Sequence, residues 1–364
     1  MEPVQIHNGL ESITVAATEL SHVDGERGLL VLRGAHVERL APEATFEDVA
    51  HLLWHGALPN AQERAEMAAR MYAGRARAFE RLPDFRAALA TPDAMDALRG
   101  ATAQLTERDS ADLPGLLCGA LPVFAAAHTR LRDGQQPIAP QPKHSQAADY
   151  LAMTFGDEPA AARVRALDTY LVTVSDHGLN ASTFAARVVT STASDSVSAV
   201  VAAIGALKGR LHGGAPGEVL EMLDAIGVKD RAETWLCARL DRGERIMGMG
   251  HRIYRVRDPR ADVLEGAIRR LATQLGSSSR FELARSVEAC ATRLLDARHP
   301  GRQLRANVEF NTAVLLDAIG IDRRSFTATF AVGRVAGWLG HIDEQRRTGR
   351  LIRPRALYTG PLPR

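Results

Sequence analysis

Residues 197–226, VSAVVAAIGALKGRLHGGAPGEVLEMLDAI, decide the fold class. Val197, Val200, Val201, Ile204 and Leu207 recur at steps suited to one face of a helix, and Val219, Leu220, Leu223 and Ile226 do the same after the interruption. A strand would instead alternate every second residue. Between the two runs Lys208-Gly209 ends the first helix, the chain turns through His212-Gly213-Gly214, and Pro216 suits the first turn of the second helix. Apolar residues recur at this spacing along nearly the whole chain, so the class predicted is mostly α. The best run with strand character is Gly28-Leu-Leu-Val-Leu-Arg33, a short hairpin-like piece.

Outward from that stretch the punctuation continues. Thr45 is placed to cap FEDVAHLLWHG, with Glu47 and Asp48 in its first turn and Gly56 at its end. Residues 133–142 form a Pro-rich connector, too short for a domain linker, and no internal repeat is evident. With 364 residues, 46% of them hydrophobic, the chain can bury a large core. A formal charge of +2 is too balanced for a nucleic-acid or membrane footprint. Cys118, Cys237 and Cys290 match no metal spacing or disulfide framework, and no apolar run reaches the ~18 residues of a spanning helix, which predicts a cytoplasmic protein. Of the 45 basic residues only Lys143, Lys208 and Lys229 are lysine, so a single Arg is weak testimony of function.

Four stretches could carry chemistry. His212 sits just before a helix N-terminus, where the partial positive charge disfavours imidazolium. It reads either as a neutral hydrogen-bond donor to a developing enolate oxygen or as a satisfied histidine in a glycine-rich turn. The stretch IMGMGHRIYRVRDPR, 246–260, does not complete a dinucleotide fingerprint and offers His251 beside several arginines. There His251 could polarise a carbonyl and Arg260 could fork onto a carboxylate, while Arg252, Arg255 and Arg257 read as solvated surface. The stretch 175–187 gathers Asp176, His177, Asn180 and Ser182 ahead of an apolar helix, either a ligand-facing turn or a plain capped start. Glu309, opening the helix around 312–319, reads alone as a cap or dipole partner. His51 and His55 have the spacing of two metal ligands but no neighbouring third, and read as helix surface.

Taken in order, LSHVDGERGLLVLRG, TFEDVAHLLWHGALP, HGLNASTFAARVVTSTASD, GALKGRLHGGAPGEVLEML, IMGMGHRIYRVRDPRA, NVEF, FAVGRVAGWLGHIDEQ and IRPRA resemble the citrate synthase family from about Gly9 to the C-terminus. The resemblance implies an all-α, two-domain fold, with residues 1–214 and 313–364 forming a large domain and 215–312 a smaller inserted one. It implies condensation of acetyl-CoA with oxaloacetate and hydrolysis of citryl-CoA, with no metal or organic cofactor. By the same resemblance His212 stabilises the enol of acetyl-CoA, His251 activates the oxaloacetate carbonyl, and Glu309 removes the methyl proton. His177, Arg260, Arg334 and Arg353 hold oxaloacetate, Arg353 reaching the other subunit's site in a homodimer, and Arg255 and Arg302 lie near CoA phosphates. Two positions depart from the family. Glu309 replaces the usual Asp, adding a methylene, and Gly178 stands where Glu is common, which would loosen its turn. Alternatives are a 2-methylcitrate synthase using propionyl-CoA and a binding protein with little turnover.

Overall fold

The computed structural model of the chain describes residues 6–10, 13–251, 253–254, 256–276 and 279–363. Among these, sixteen α-helices carry the fold, beside a sheet of three short antiparallel strands in sequential order. The strands are β1 (Ser21–Asp24), β2 (Leu29–Leu32) and β3 (Ala35–His36). The expected hairpin is thus present as β1 and β2, in a register pairing Ser21 with Leu32 and Asp24 with Leu29. Alternation along β2 sends Leu30 and Leu32 into the core. No described helix is long and apolar enough to cross a membrane.

Local sequence sets the helix ends as expected. Thr45 and Asp48 form a reciprocal capping box on the Phe46–His55 helix, and Gly56 ends it at φ 86°. The Leu113–Arg132 helix is buried over most of its length despite an internal Pro122. Proline there removes the N–H that would bond the Cys118 carbonyl one turn back, and the Gln146 side chain donates to that oxygen instead, at 2.7 Å.

The Phe326–Thr348 helix runs through the core and packs on the Phe46–His55, Leu113–Arg132, Ala161–Val174 and Ala181–Ser191 helices. Its glycines permit the close approach: a Cβ on Gly333 would stand 2.6 Å from Val174 Cγ2, and one on Gly337 2.2 Å from the Ser175 carbonyl oxygen. This brings Arg334 against the end of the Ala161–Val174 helix. A second group comprises the Ala215–Ile226, Ala232–Asp241, Ser279–Arg298 and Val308–Ile319 helices. The Pro259–Leu275 helix packs on both Val308–Ile319 and Ala161–Val174, tying the groups together.

Candidate active site

The turn after the Ala161–Val174 helix is held from two sides, by β1 and by the core helix. Asp176 is fully buried, accepts from Ser21 Oγ of β1 at 2.5 Å, and lies 3.2 Å from His341 Nε2 on the core helix. Burial works to raise its pKa, but His341 and Arg334 hold it below the ordinary carboxylate value. Ser21 Oγ also accepts the Gly178 N–H at 2.8 Å. Gly178 adopts φ 63°, so glycine suits this turn, and these bonds pin it rather than loosen it as the sequence led us to expect. His177 is therefore buried in a fixed place, its Nε2 at 3.3 Å from the Tyr254 hydroxyl. Burial, then Arg260, Arg334 and His251, depress its pKa well below the usual imidazole value.

Asn180 caps the next helix by accepting the Ser182 and Thr183 N–H groups. The 175–187 stretch is thus a capped helix start that also reaches His212. Ser182 Oγ stands 2.8 Å from Asn180 Oδ1 and 2.8 Å from His212 Nε2, and accepts from Trp338 Nε1–H at 3.2 Å. Its single hydroxyl proton lies toward Asn180 Oδ1, which can only accept, and turning it to Nε2 would reverse the His212 tautomer. Burial, reinforced by Arg334, lowers the His212 pKa to about 4.

The 246–260 segment owes its shape to its neighbours. Gly250 N–H donates to the Arg305 carbonyl at 2.7 Å, Asn307 N–H to the Gly248 carbonyl at 2.9 Å, and Asn307 Nδ2 to the Gly250 carbonyl at 2.8 Å. Gly248, at φ 74°, lies where a Cβ would meet Phe310 Cβ at 2.8 Å. These contacts lace the His251 loop to the segment that opens the Glu309 helix. His251 Nδ1 accepts from both the Ile253 and Tyr254 N–H groups at 3.0 Å. Burial and then Arg260 lower its pKa to about 4. Arg260 Nη2 lies 3.2 Å from His251 Nε2. The fork expected for a ligand is partly committed: Arg260 Nε and Nη2 grip Asp258 at 3.0 and 2.8 Å. No hydrogen bond of its Nη1 occurs among the described residues.

Asn307, not Glu309, caps the Val308–Ile319 helix. Glu309 is partly buried, and its Oε2 has no accessible surface and no hydrogen-bond partner among the described residues. Burial raises its pKa above the ordinary value, with Arg260 opposing. Arg334 is almost wholly buried, donates from Nε to the Val174 carbonyl at 2.5 Å, and lies 4.8 Å over the Phe330 ring. On that ring's other contact the His212 ring stands edge-on at 6.1 Å. No carboxylate ion pair to Arg334 occurs among the described residues, and burial lowers its pKa to about 10. His177 and His251 rings lie 6.2 Å apart.

Other expected residues fall elsewhere. Arg353 is exposed in the irregular C-terminal tail and does not join the cluster. Arg302, with Arg245, Arg298 and His299, lines a cavity of about 790 Å³ that ends at Gly250 and His251. Arg252 and Arg255 lie outside the described residues. Arg257 is not merely solvated: it pairs with Asp262, with Glu265 at 2.6 Å and with Glu288 at 3.1 Å. His51 is buried, its Nδ1 2.9 Å from the Ala57 carbonyl oxygen, rather than on the helix surface, and no group of three or more metal-type ligands occurs among the described residues. Tyr254, Asp258, Trp338 and Phe330 were not singled out from sequence. Each lies inside a quoted motif, but only folding shows what it touches.

A family model described as citrate synthase, C-terminal domain, matches residues 9–355. A citrate synthase of Haloferax volcanii is 38% identical over 98% of this chain and 96% of its own length. A 2-methylcitrate synthase of Mycobacterium tuberculosis is 37% identical over 99% of this chain and 92% of its own. The crystal structure of citrate synthase from Thermotoga maritima superposes with a TM-score of 0.86 at 33% identity, covering 99% of this chain and 97% of that one. A ternary complex of carboxymethyl coenzyme A and oxaloacetate with citrate synthase from Thermoplasma acidophilum gives 0.87 at 29% identity, over 99% and 97%. The capped turns, paired imidazoles and buried arginines therefore stand in a chain that belongs to the citrate synthase family and is an enzyme of that type.

Proposed function

We propose that this chain condenses acetyl-CoA with oxaloacetate and hydrolyses the citryl-CoA formed. The observation that carries the reading is a partly buried carboxylate, Glu309, left without a partner at Oε2, in one cluster with imidazoles that stay neutral down to about pH 4. A thioester methyl is a very weak carbon acid, so its base must be unquenched and the enolate oxygen must meet a donor as it forms. Glu309 takes the methyl proton. Once the Ser182 hydroxyl turns from Asn180 Oδ1 to His212 Nε2, His212 holds its own proton on Nδ1 and donates it to the thioester oxygen. Oxaloacetate brings two carboxylates, for which Arg334, Arg260 Nη1 and His177 supply charge and orientation, with Arg353 arriving from a second copy of the chain. His251 Nε2–H bonds the ketone oxygen, and Arg260 beside it stabilises the alkoxide that forms as the enol carbon attacks. Water then cleaves the thioester and releases CoA. The basic cavity lined by Arg245, Arg298, His299 and Arg302 suits the CoA phosphates, and residues 215–312 act as the smaller unit that shuts out water. Exposed Leu351, Leu357, Tyr358 and Leu362 on the tail that carries Arg353 favour a partner copy over solvent.

The 37% identity to a 2-methylcitrate synthase supports propionyl-CoA as a second donor. One methylene of pocket volume discriminates by only ~1–3 kcal/mol, so both thioesters are expected to react. The test is thiol release by the purified chain with oxaloacetate and each donor in turn. A higher kcat/KM for acetyl-CoA supports the first reading and a higher value for propionyl-CoA the second. Binding of oxaloacetate without thiol release from either would leave only a binding protein.

A further inference from the structure

The tip of the N-terminal hairpin touches the loop that holds His251, and nothing in the reaction so far uses it. Asp24 Oδ1 closes the tip by accepting the Glu26 and Arg27 N–H groups at 3.0 Å each. A Cβ on Gly25 would stand 2.3 Å from the Ile253 carbonyl oxygen and 2.8 Å from its carbon, both backbone atoms. Gly25 does not have a left-handed φ, so its own conformation does not call for glycine; the Ile253 peptide does. Gly28, at φ 66°, would place a Cβ 2.8 Å from Val256 Cγ2 and 3.1 Å from the Arg257 carbonyl oxygen.

The peptide that Gly25 abuts joins Ile253 to Tyr254, and the N–H of that same peptide is one of the two donors that fix His251 Nδ1. Moving its carbonyl turns its N–H. Ile253 itself is 47% exposed, so burial of its own side chain does not hold the loop. At the other end of β1, Ser21 pins the turn that carries His177. One strand and its turn thus bear on both histidine loops, whose rings stand 6.2 Å apart.

We propose that the β1–β2 hairpin sets the spacing of the His177 and His251 loops, with Gly25 as a positioning residue that lets the hairpin seat directly on the Ile253–Tyr254 peptide. The inference rests on the condensing reading for its effect on turnover, and on the contact alone for its effect on the loop. A side chain at this point would displace the His251 ring, and errors of ~1 Å in such geometry cost on the order of a hundredfold.

The test compares the full-length chain with Gly25→Ala. Expected are a kcat/KM for oxaloacetate lower by on the order of ten- to a hundredfold, an unchanged KM for the acyl-CoA, and faster amide hydrogen exchange across residues 251–258. Gly34→Ala is the control: its φ of 85° strains a side chain, yet no atom lies within 4 Å of the added Cβ. It lowers Tm while leaving oxaloacetate KM and the exchange of that loop as in the wild type. A folded Gly25→Ala protein with wild-type oxaloacetate kinetics and loop exchange overturns the proposal. Should Gly25→Ala fail to fold, Gly28→Ala and Val256→Ala form a double-mutant cycle in which backbone strain cancels. Recovery of oxaloacetate KM on adding Val256→Ala to Gly28→Ala supports the contact, and strictly additive effects overturn it. Absence of thiol release by the wild type would instead defeat the condensing reading, and the exchange comparison would still decide whether the hairpin seats the loop.

Discussion

Arg187, packed on the core helix, and Arg334, carried by it, are buried to the same depth, each with about 1% of its surface exposed, and their company is opposite. Arg187 gives Nη1 to Glu344 Oε2 and to His341 Nδ1, both at 2.7 Å, and Nε to Gln345 Oε1 at 3.1 Å. Arg334 has a backbone carbonyl and the face of Phe330. The acidic counterparts divide the same way. Burial works to raise the Glu344 pKa, yet Arg187 and the Glu19 N–H hold it below the ordinary value, whereas Glu309 is raised above it. The first pair is joined by a direct ion pair, whereas the second has no hydrogen-bonded charge partner among the described residues and feels Asp176 and Arg260 only at longer range. A buried charge whose cost the fold does not offset marks where a ligand or a reaction offsets it.

The comparison breaks most visibly at the two glutamates. Glu309→Gln is expected to cut thiol release by roughly 10²–10⁴, the usual worth of a general base, while oxaloacetate still binds. Its effect on stability has the opposite sign. A carboxylate with a raised folded pKa contributes stability below its unfolded pKa and loses it as pH rises through the folded one, so above that folded pKa the ionised Glu309 is a burden. Glu309→Gln then raises Tm above the folded Glu309 pKa, and the gain shrinks as pH falls through it. Glu344, with a depressed pKa, contributes stability that is present at neutral pH and lost as pH falls through its folded pKa. Glu344→Gln therefore lowers Tm at neutral pH. Thermal melts of the two variants across pH decide it: shifts of the same sign would defeat the contrast. Activity should likewise fall on the acid side with the Glu309 pKa, above the value of about 4 at which His212 and His251 titrate.

The arginines give the next largest effect. Arg334→Met should weaken oxaloacetate binding by ~2–5 kcal/mol, as when one partner of a buried charge pair is removed, with Tm held or raised. Arg187→Met strands Glu344 and should cost about 3–5 kcal/mol of stability. Calorimetric titration and melting separate these outcomes, and a stability loss in Arg334→Met as large as that in Arg187→Met would show that Arg334 is structural too.

How far this was legible in the sequence depends on the range of the interaction. Caps such as Thr45 with Asp48 span three residues, and they are found by reading. Helical period places His51 on the helix surface and the structure buries it, because period marks a face but not what later covers it. The difference between Arg187 and Arg334 is set by partners 157 and 160 positions away, in a chain whose basic residues are nearly all arginine. Family motifs pointed to Arg334 without showing why it differs. The glycines of 246–250 were read only as failing a dinucleotide pattern; their reasons, Phe310 and Leu304, lie across the fold.

The smallest expected effect probes how finely the reactive side is tuned. Ser182→Ala removes the group that chooses the His212 tautomer and also strips Trp338 Nε1–H, on a fully buried ring, of its acceptor. The second loss costs about 1–3 kcal/mol of stability whatever the chemistry. The first acts only on the enolising step, since His212 then partitions between tautomers and only the form with a proton on Nδ1 can donate to the thioester oxygen. kcat should fall by roughly tenfold, within the range of general acid–base assistance, while oxaloacetate KM stays near the wild-type value because Arg260, Arg334 and His177 are untouched. Asparagine at 182 offers an amide N–H to Nε2 and should restore part of kcat without restoring stability. If Ser182→Ala raised oxaloacetate KM and left kcat alone, the hydroxyl would belong to the anion pocket, and the division between a compensated fold and an uncompensated site would have to be redrawn through Asn180.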